Sequence, residues 1–265
     1  MSATRVAIAG CTGRMGTTLL RLAGADPRFE VVAAISEPGD LRCGQDAGVA
    51  AGVAPLGVAV GTTVPSACDV LIEFTSPAGC TAWTQWCADR GVALVSGTTG
   101  LSDEQHAQLR EAGRHIPVVW SPNMSTGVNL MLAVVQDLAA RLDEMWDVEI
   151  CETHHRRKMD APSGTAGALL DAVCRARGHS STDAAVHGRR GACGPRRRGE
   201  IGMHAIRMGA IVGEHEVHFT ADDESLTIRH RAFARDAFAS GALRAARWVV
   251  GRPPGLYGMR DVLFG

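Results

Sequence analysis

Residues 151–165 read CETHHRRKMDAPSGT, with two histidines, two arginines and a lysine in the five positions 154–158. A Pro-Ser-Gly-Thr turn follows, with Ser163 in the N-cap position of an expected helix. Cationic side chains ahead of a helix start meet free backbone amides and a hydroxyl, which is what a site for carboxylates or phosphates requires. A histidine and a lysine in that setting also move protons. His154, His155 and Lys158 are therefore the candidate cationic and proton-transferring groups. Gly164 and Thr165 are the candidate anion holders at the helix start, and a small anionic substrate is expected. A solvated basic loop is the competing reading; Arg156 and Arg157 fit it and carry no expected catalytic role. Metal ligation by Cys151, His154 and His155 is disfavoured, because extended residues three apart point to opposite faces. There is no second ligand cluster, and the adjacent lysine and arginines would repel a cation. No metal is expected.

A second chemical signal lies near the start. Gly10, Gly13 and Gly16 follow a short apolar run, residues 6–9, and open a helical stretch. A dinucleotide fold holds its pyrophosphate there, because glycine permits a tight turn and the helix N-terminus supplies free amides. The spacing is G-x-x-G-x-x-G, with Thr12 where the usual second glycine stands. The acid expected at the end of strand two falls at Ser36-Glu37. Glu37 could supply it one place late, or Ser36 could leave room for a 2′-phosphate, and no arginine stands immediately beside them. Alone, the turn also fits other mononucleotide folds or a helix that merely begins with glycines. Two more polar turns, Gly97-Thr98-Thr99-Gly100 and Ser121-Pro122-Asn123-Met124, follow expected strands. Ligands of open parallel sheets bind at the carboxyl ends of strands. Three such turns favour NADH or NADPH over ordinary connecting loops.

The elements that must position these residues fall into two grammars. Residues 6–9, 31–35, 70–74, 92–96 and 117–120 read as buried strands. Helical stretches, 14–25, 78–90 and 102–114, alternate with them, the last opened by a Ser102–Gln105 capping box. That pattern predicts an α/β, Rossmann-like, doubly wound parallel sheet. After residue 123 a helix over 128–142 leads to a strand over 148–152, the cationic segment and a helix over 163–177. Residues 178–200 read as an exposed loop. HAIRM, VGEHEVHFT and SLTIRH then alternate as antiparallel strands, and residues 237–250 are helical. The second domain is thus expected to be α+β, on a mixed or antiparallel sheet.

Bulk composition narrows the classes. A chain of 265 residues, 46% hydrophobic, can bury one large core or two modest ones. A net charge of −1 supplies no global field toward nucleic acid or an acidic membrane surface. The one basic run, RRGACGPRRRGE, has no interleaved aromatics, so no nucleic acid partner is expected. No apolar run reaches the roughly 20 residues of a bilayer span, so no membrane partner is expected either. Eight cysteines without a CxxC pair predict a reduced, cytoplasmic protein.

The segment HHRRKMDAPSGT resembles the signature of the 4-hydroxy-tetrahydrodipicolinate reductase family, also called dihydrodipicolinate reductases, of lysine and diaminopimelate biosynthesis. The resemblance runs almost end to end, through VAIAGCTGRMG, IEFTSP, VSGTTG, SPNMSTGVN, GEHEVHF, LTIRHRAFARDAFASGA and GLYGMRDVL. It implies a dinucleotide-binding domain from residues 1–125 and 236–265, with a substrate-binding and oligomerisation domain over 126–235. It also implies NADH- or NADPH-dependent reduction of a small dicarboxylate, in a homotetramer. By the same resemblance His154 and Lys158 take the acid/base roles, and His155, Gly164 and Thr165 hold a substrate carboxylate. Gly10, Cys11, Thr12, Gly13, Arg14 and Met15 line the cofactor. So do Ser36 and Glu37, then Gly97, Thr98 and Thr99, then Ser121, Pro122, Asn123 and Met124, with Arg235 near it. Family members often carry an acid at the place of Ser36 and sometimes an arginine at that of Glu37. Ser76 stands where an arginine can contact the cofactor. These departures leave NADH and NADPH both open. The rival reading is another Rossmann-fold reductase of a small dicarboxylate or amino-acid derivative. A semialdehyde dehydrogenase would need a strand-end cysteine facing the nicotinamide, whereas Cys80 and Cys87 fall in expected helix.

Overall fold

A computed structural model describes residues 2–65 and 67–265. Contacts divide the chain into two units, Met1–Thr126 with Arg235–Gly265, and Gly127–Ala234.

The first unit begins with β1 (Thr4–Ala9), α1 (Arg14–Ala25), β2 (Phe29–Ile35), α2 (Ala47–Ala50) and β3 (Val60–Gly61). It continues with β4 (Val70–Glu73), α3 (Pro77–Arg90), β5 (Ala93–Ser96), α4 (Asp103–Ala112) and β6 (Pro117–Trp120). The seven strands of its parallel sheet run β12-β6-β5-β4-β1-β2-β3, with β12 from the far end of the chain. Its central strands are buried on both faces. Val6 and Ile8 of β1 join a cluster with Leu19 and Leu20 of α1, while Ala7 and Ala9 join one with Cys80, Cys87 and Leu109. Strand order reverses between β1 and β4, which are hydrogen-bonded neighbours. Two successive connections there leave in opposite directions and open a crevice at the strands' carboxyl ends.

The second unit holds α5 (Thr126–Arg141), β7 (Asp147–His154), α6 (Gly164–Arg177), α7 (Ser181–Ala184) and β8 (Ala185–Val186). It ends with β9 (Ile201–Arg207), β10 (Gly213–Thr220) and β11 (Ser225–Ala232). Its sheet runs β11-β10-β7-β9-β8 and is mixed. The antiparallel expectation holds for β10 with β11 but fails for HAIRM. Strand β9 lies parallel to β7, which separates it from β10. Helix α6 supplies the crossover that a parallel pair needs. Residues 178–200 also contain α7 and β8, which short polar sequence did not signal. Val148, Ile150, Val217 and Phe219 face α5 and α6 in one core. The apolar face of these strands is therefore covered within the unit.

The chain returns to the first unit as α8 (Asp236–Val249), β12 (Gly255–Tyr257) and α9 (Met259–Phe264), the last two too short to read as periodic patterns. Helix α8 passes so close to the loop after β6 that a Cβ on Gly241 would overlap the Met124 carbonyl. Gly241→Ala should lower stability by about 1–3 kcal/mol through overpacking. Gly167→Ala in α6, where a Cβ meets nothing within 4 Å, should be neutral or stabilising. Thermal unfolding of both variants checks the contrast; equal behaviour would contradict the packing described.

Candidate active site

The glycine turn sits in the crevice between β1 and β4. Gly10 has φ +73°, and a Cβ there would lie 2.7 Å from the Phe74 carbonyl oxygen. A Cβ on Gly16 would overlap the Gly10 carbonyl, so both positions demand glycine. Gly13 is the N-cap of α1 and offers no side chain to its first amides. Those amides, at Arg14, Met15 and Gly16, point out of the helix end with its positive dipole. Cys11 is buried, its thiol pushed up to about 11 by burial and by Asp40. Thr12 bonds Ser36 Oγ at 2.7 Å, so the turn and the end of β2 share one polar patch. Ser36 is buried and Glu37 exposed.

The turns after β4 and β5 meet around a carboxylate that sequence reasoning did not single out. Glu73, at the end of β4, is fully buried. It accepts from Thr98 Oγ1 (2.8 Å), Thr75 Oγ1 (2.7 Å) and the Thr75 amide (3.1 Å), and from Ser96 Oγ. An acid between two strand-end turns was the available signal. Thr98 is buried by this contact while Thr99 stays exposed, and the Gly97 position is closed by the Phe74 ring. In the third turn Ser121 Oγ donates to the Asn123 carbonyl at 2.8 Å, and Asn123 Oδ1 accepts from the Ser125 amide at 2.9 Å. Pro122 is exposed, Met124 is buried against α8, and Arg235 is the exposed N-cap of that helix. Glycine positions with no room for a Cβ, next to uncapped helix amides, fit a dinucleotide pyrophosphate.

In the second unit the cationic segment lies where β7 ends. Glu152 is fully buried and takes four contacts: Arg207 Nη1 and Nη2 (2.8 and 2.7 Å), His154 Nδ1 (2.5 Å) and the Ser163 amide (3.0 Å). Burial alone would raise this carboxyl, but Arg207 and His154 outweigh it and hold it below the ordinary range. His154 Nδ1 consequently carries the hydrogen. Lys158 Nζ is paired with Asp160 at 2.9 Å, close enough to His154 to act on its charge. His155 Nδ1 is buried without a partner among the described residues. Ser163 caps α6 through the Ala166 amide (3.2 Å), leaving Gly164 and Thr165 in the first turn, with open space beside the Gly164 Cα. His154, His155, Lys158, Gly164 and Thr165 thus all belong to one β7–α6 connection. Arg156 and Arg157 are exposed. Arg189 and Arg196 of the basic run pair with Glu149 and Glu200.

A doubly wound sheet with this cradle, followed by a unit carrying a cationic strand end and helix start, defines an NAD(P)-dependent oxidoreductase of the Rossmann type. The family model described as dihydrodipicolinate reductase, N-terminus, matches residues 4–124, and its C-terminus counterpart matches 127–263. The chain belongs to the dihydrodipicolinate reductase family. It is 48% identical to the 4-hydroxy-tetrahydrodipicolinate reductase of Alkalilimnicola ehrlichii over 98% of both chains. It is 47% identical to that of Myxococcus xanthus, over 98% of this chain and 97% of the relative. Among solved structures, a dipicolinate-bound dihydrodipicolinate reductase from Paenisporosarcina sp. TG-14 is similar at TM-score 0.77 and 25% identity. That match covers 98% of this chain and 100% of the other. An amine dehydrogenase from Mycobacterium smegmatis shares the fold, with TM-score 0.63 and 14% identity over 96% and 94% of the two chains.

Behind His154 stand two more histidines, His215 of β10 and His230 of β11. Ring centroids are 5.2 Å apart from His154 to His215, and 6.5 Å from there to His230. Burial, then the neighbouring His154, pushes His215 down to about 4, and burial also lowers His154 and His230. Unfolding returns His215 to about 6.5. Between those values the unfolded state binds the extra proton, so stability rises with pH from about 4 to 6.5 and levels off above. The full span is worth roughly 3 kcal/mol at 1.36 kcal/mol per pH unit. His215→Asn should flatten the pH slope of urea-unfolding free energy by about one proton in that window. An unchanged slope would mean that His215 is not held neutral.

Proposed function

We infer that this chain reduces 4-hydroxy-tetrahydrodipicolinate to tetrahydrodipicolinate with NADH or NADPH, on the way to diaminopimelate and lysine. One hydride and one proton are added, one water leaves, and the nicotinamide is oxidised. The observation that carries this reading is the β7–α6 connection, where a histidine–carboxylate pair and a lysine precede an anion-ready helix start.

The residues at the three strand-end turns of the first unit, Gly10–Met15, Gly97–Thr99 and Ser121–Met124, hold the cofactor, with Ser36 and Glu37 toward its adenosine ribose and Arg235 near it. When bound, the nicotinamide supplies the hydride. His155, Gly164 and Thr165 hold a substrate carboxylate, which gives the buried His155 nitrogen its partner. Hydride addition to a conjugated imine leaves negative charge on carbon and nitrogen. Lys158 stabilises that charge and hands over the proton. His154, its Nδ1–H spent on Glu152, presents Nε2 as an acceptor and relays protons rather than starting as the acid. Residues 126–235 serve as substrate-binding and oligomerisation domain. Eight free cysteines support a reducing, cytoplasmic setting, and the family resemblance supports a homotetramer.

The direct test is a coupled assay on the condensation product of pyruvate and aspartate semialdehyde with each nicotinamide. Both should serve, with a preference below about tenfold, or about 1.4 kcal/mol; no turnover with either would sink the reading. Pyridine-2,6-dicarboxylate, the ligand named for the Paenisporosarcina structure, should compete with the substrate. Lys158→Arg keeps a charge but is a poor proton donor. It should lose kcat by about 10²–10⁴, with a smaller rise in KM than Lys158→Ala. Near-normal kcat in Lys158→Arg would reduce the lysine to an electrostatic anchor.

A further inference from the structure

The patch joining the glycine turn to the end of β2 contains a guanidinium that the sequence places six residues beyond Ser36. Arg42 Nη1 donates to the Thr12 carbonyl at 2.8 Å, inside the glycine turn itself. Its Nε and Nη2 grip Asp40, each at 3.0 Å, and its amide donates to the same carboxylate at 2.9 Å. Ser36 Oγ completes the set, donating to Asp40 Oδ2 at 2.7 Å. Asp40 therefore has four donors, two on each oxygen, about the capacity of a carboxylate. It has no lone pair left to take a ribose hydroxyl. Its side chain is 10% exposed, whereas that of Arg42 is 40% exposed. Of the five guanidinium N–H groups three are engaged, and the other two have no partner among the described residues.

We propose that Arg42, locked in place by Asp40 and the Thr12 carbonyl, is the residue that reads the 2′ position of the adenosine ribose and sustains NADPH binding. The inference rests on the reductase reading above. In a dinucleotide fold the ribose 2′ group lies at the end of the second strand, and an arginine there accommodates a 2′-phosphate. Arg42 reaches that place through the turn at residues 37–40, where Asp40 N–H donates to the Glu37 carbonyl at 3.2 Å. Two forked N–H donors on a fixed cation match phosphate oxygens. NADH is served by the Thr12 hydroxyl, which bonds Ser36 and keeps a lone pair to accept from a ribose hydroxyl. Glu37, the exposed acid at the strand end, is not the discriminating group.

The test is direct binding, without turnover. Calorimetric titration of wild type, Arg42→Leu and Arg42→Lys with NADPH, NADH, adenosine 2′,5′-bisphosphate and 5′-AMP separates the 2′-phosphate from the rest of the cofactor. Arg42→Leu should weaken NADPH and the bisphosphate by about 10- to 100-fold. NADH and 5′-AMP should stay within about threefold of wild type. Arg42→Lys, which keeps the charge without the fork, should fall between and serves if the leucine variant does not fold. Equal losses for all four ligands would make Arg42 a structural clamp and overturn the inference, as would no change or a loss confined to NADH. Wild-type protein that binds neither nicotinamide would instead refute the reductase reading.

Discussion

The second unit is organised around one buried carboxylate. An ion of that kind costs several kcal/mol to desolvate unless every lone pair finds a donor. Glu152 meets that demand with a guanidinium from the end of β9, the ring of His154 two residues on, and the amide that begins α6. The ends of β7 and β9 and the start of α6 are thereby fixed to one point. The electrostatic result is a histidine whose tautomer is decided by its neighbour. Its outward nitrogen passes above Gly213, where a Cβ would come within 3.0 Å of His154 Nε2. A residue with any side chain at 213 would push into the ring that Glu152 has aligned.

The first unit solves a parallel problem with a second buried carboxylate. Glu73 has no paired cation among the described residues; three hydroxyls and an amide from the ends of β4 and β5 and the turns after them supply its donors. The turns after β4 and β5 are held together by that requirement. Close approach does the rest, through Gly10 against Phe74, Gly97 against the Phe74 ring and Gly241 against Met124. In both units a buried acid at a strand end fixes polar turns in place.

Much of this was legible in sequence where local rules dominate. The run of buried strands and helices through residue 120, the Ser102 capping box and the Ser163 cap each follow from neighbours within four residues. The cationic segment was legible for the same reason. Pairing of β9 beside β7 was not, because alternation fixes which face a residue takes but leaves its partner strand open. Glu152 and Glu73 were hidden inside apolar strands, and their roles depend on Arg207 and Thr98, 55 and 25 residues away. Arg42 was hidden by distance along the chain, since a turn brings it back to Thr12.

The constraint imposed by Glu152 is read most directly from the His154 ring itself. Nitrogen-15 NMR of histidine-labelled protein between pH 7 and 8, with His154→Gln to assign the signals, distinguishes the two neutral tautomers from the imidazolium. The ring is expected to be neutral, with hydrogen on Nδ1 and a bare Nε2, and to lose that tautomer preference in Glu152→Gln. A neutral ring protonated on Nε2, or an imidazolium throughout that range, would contradict it.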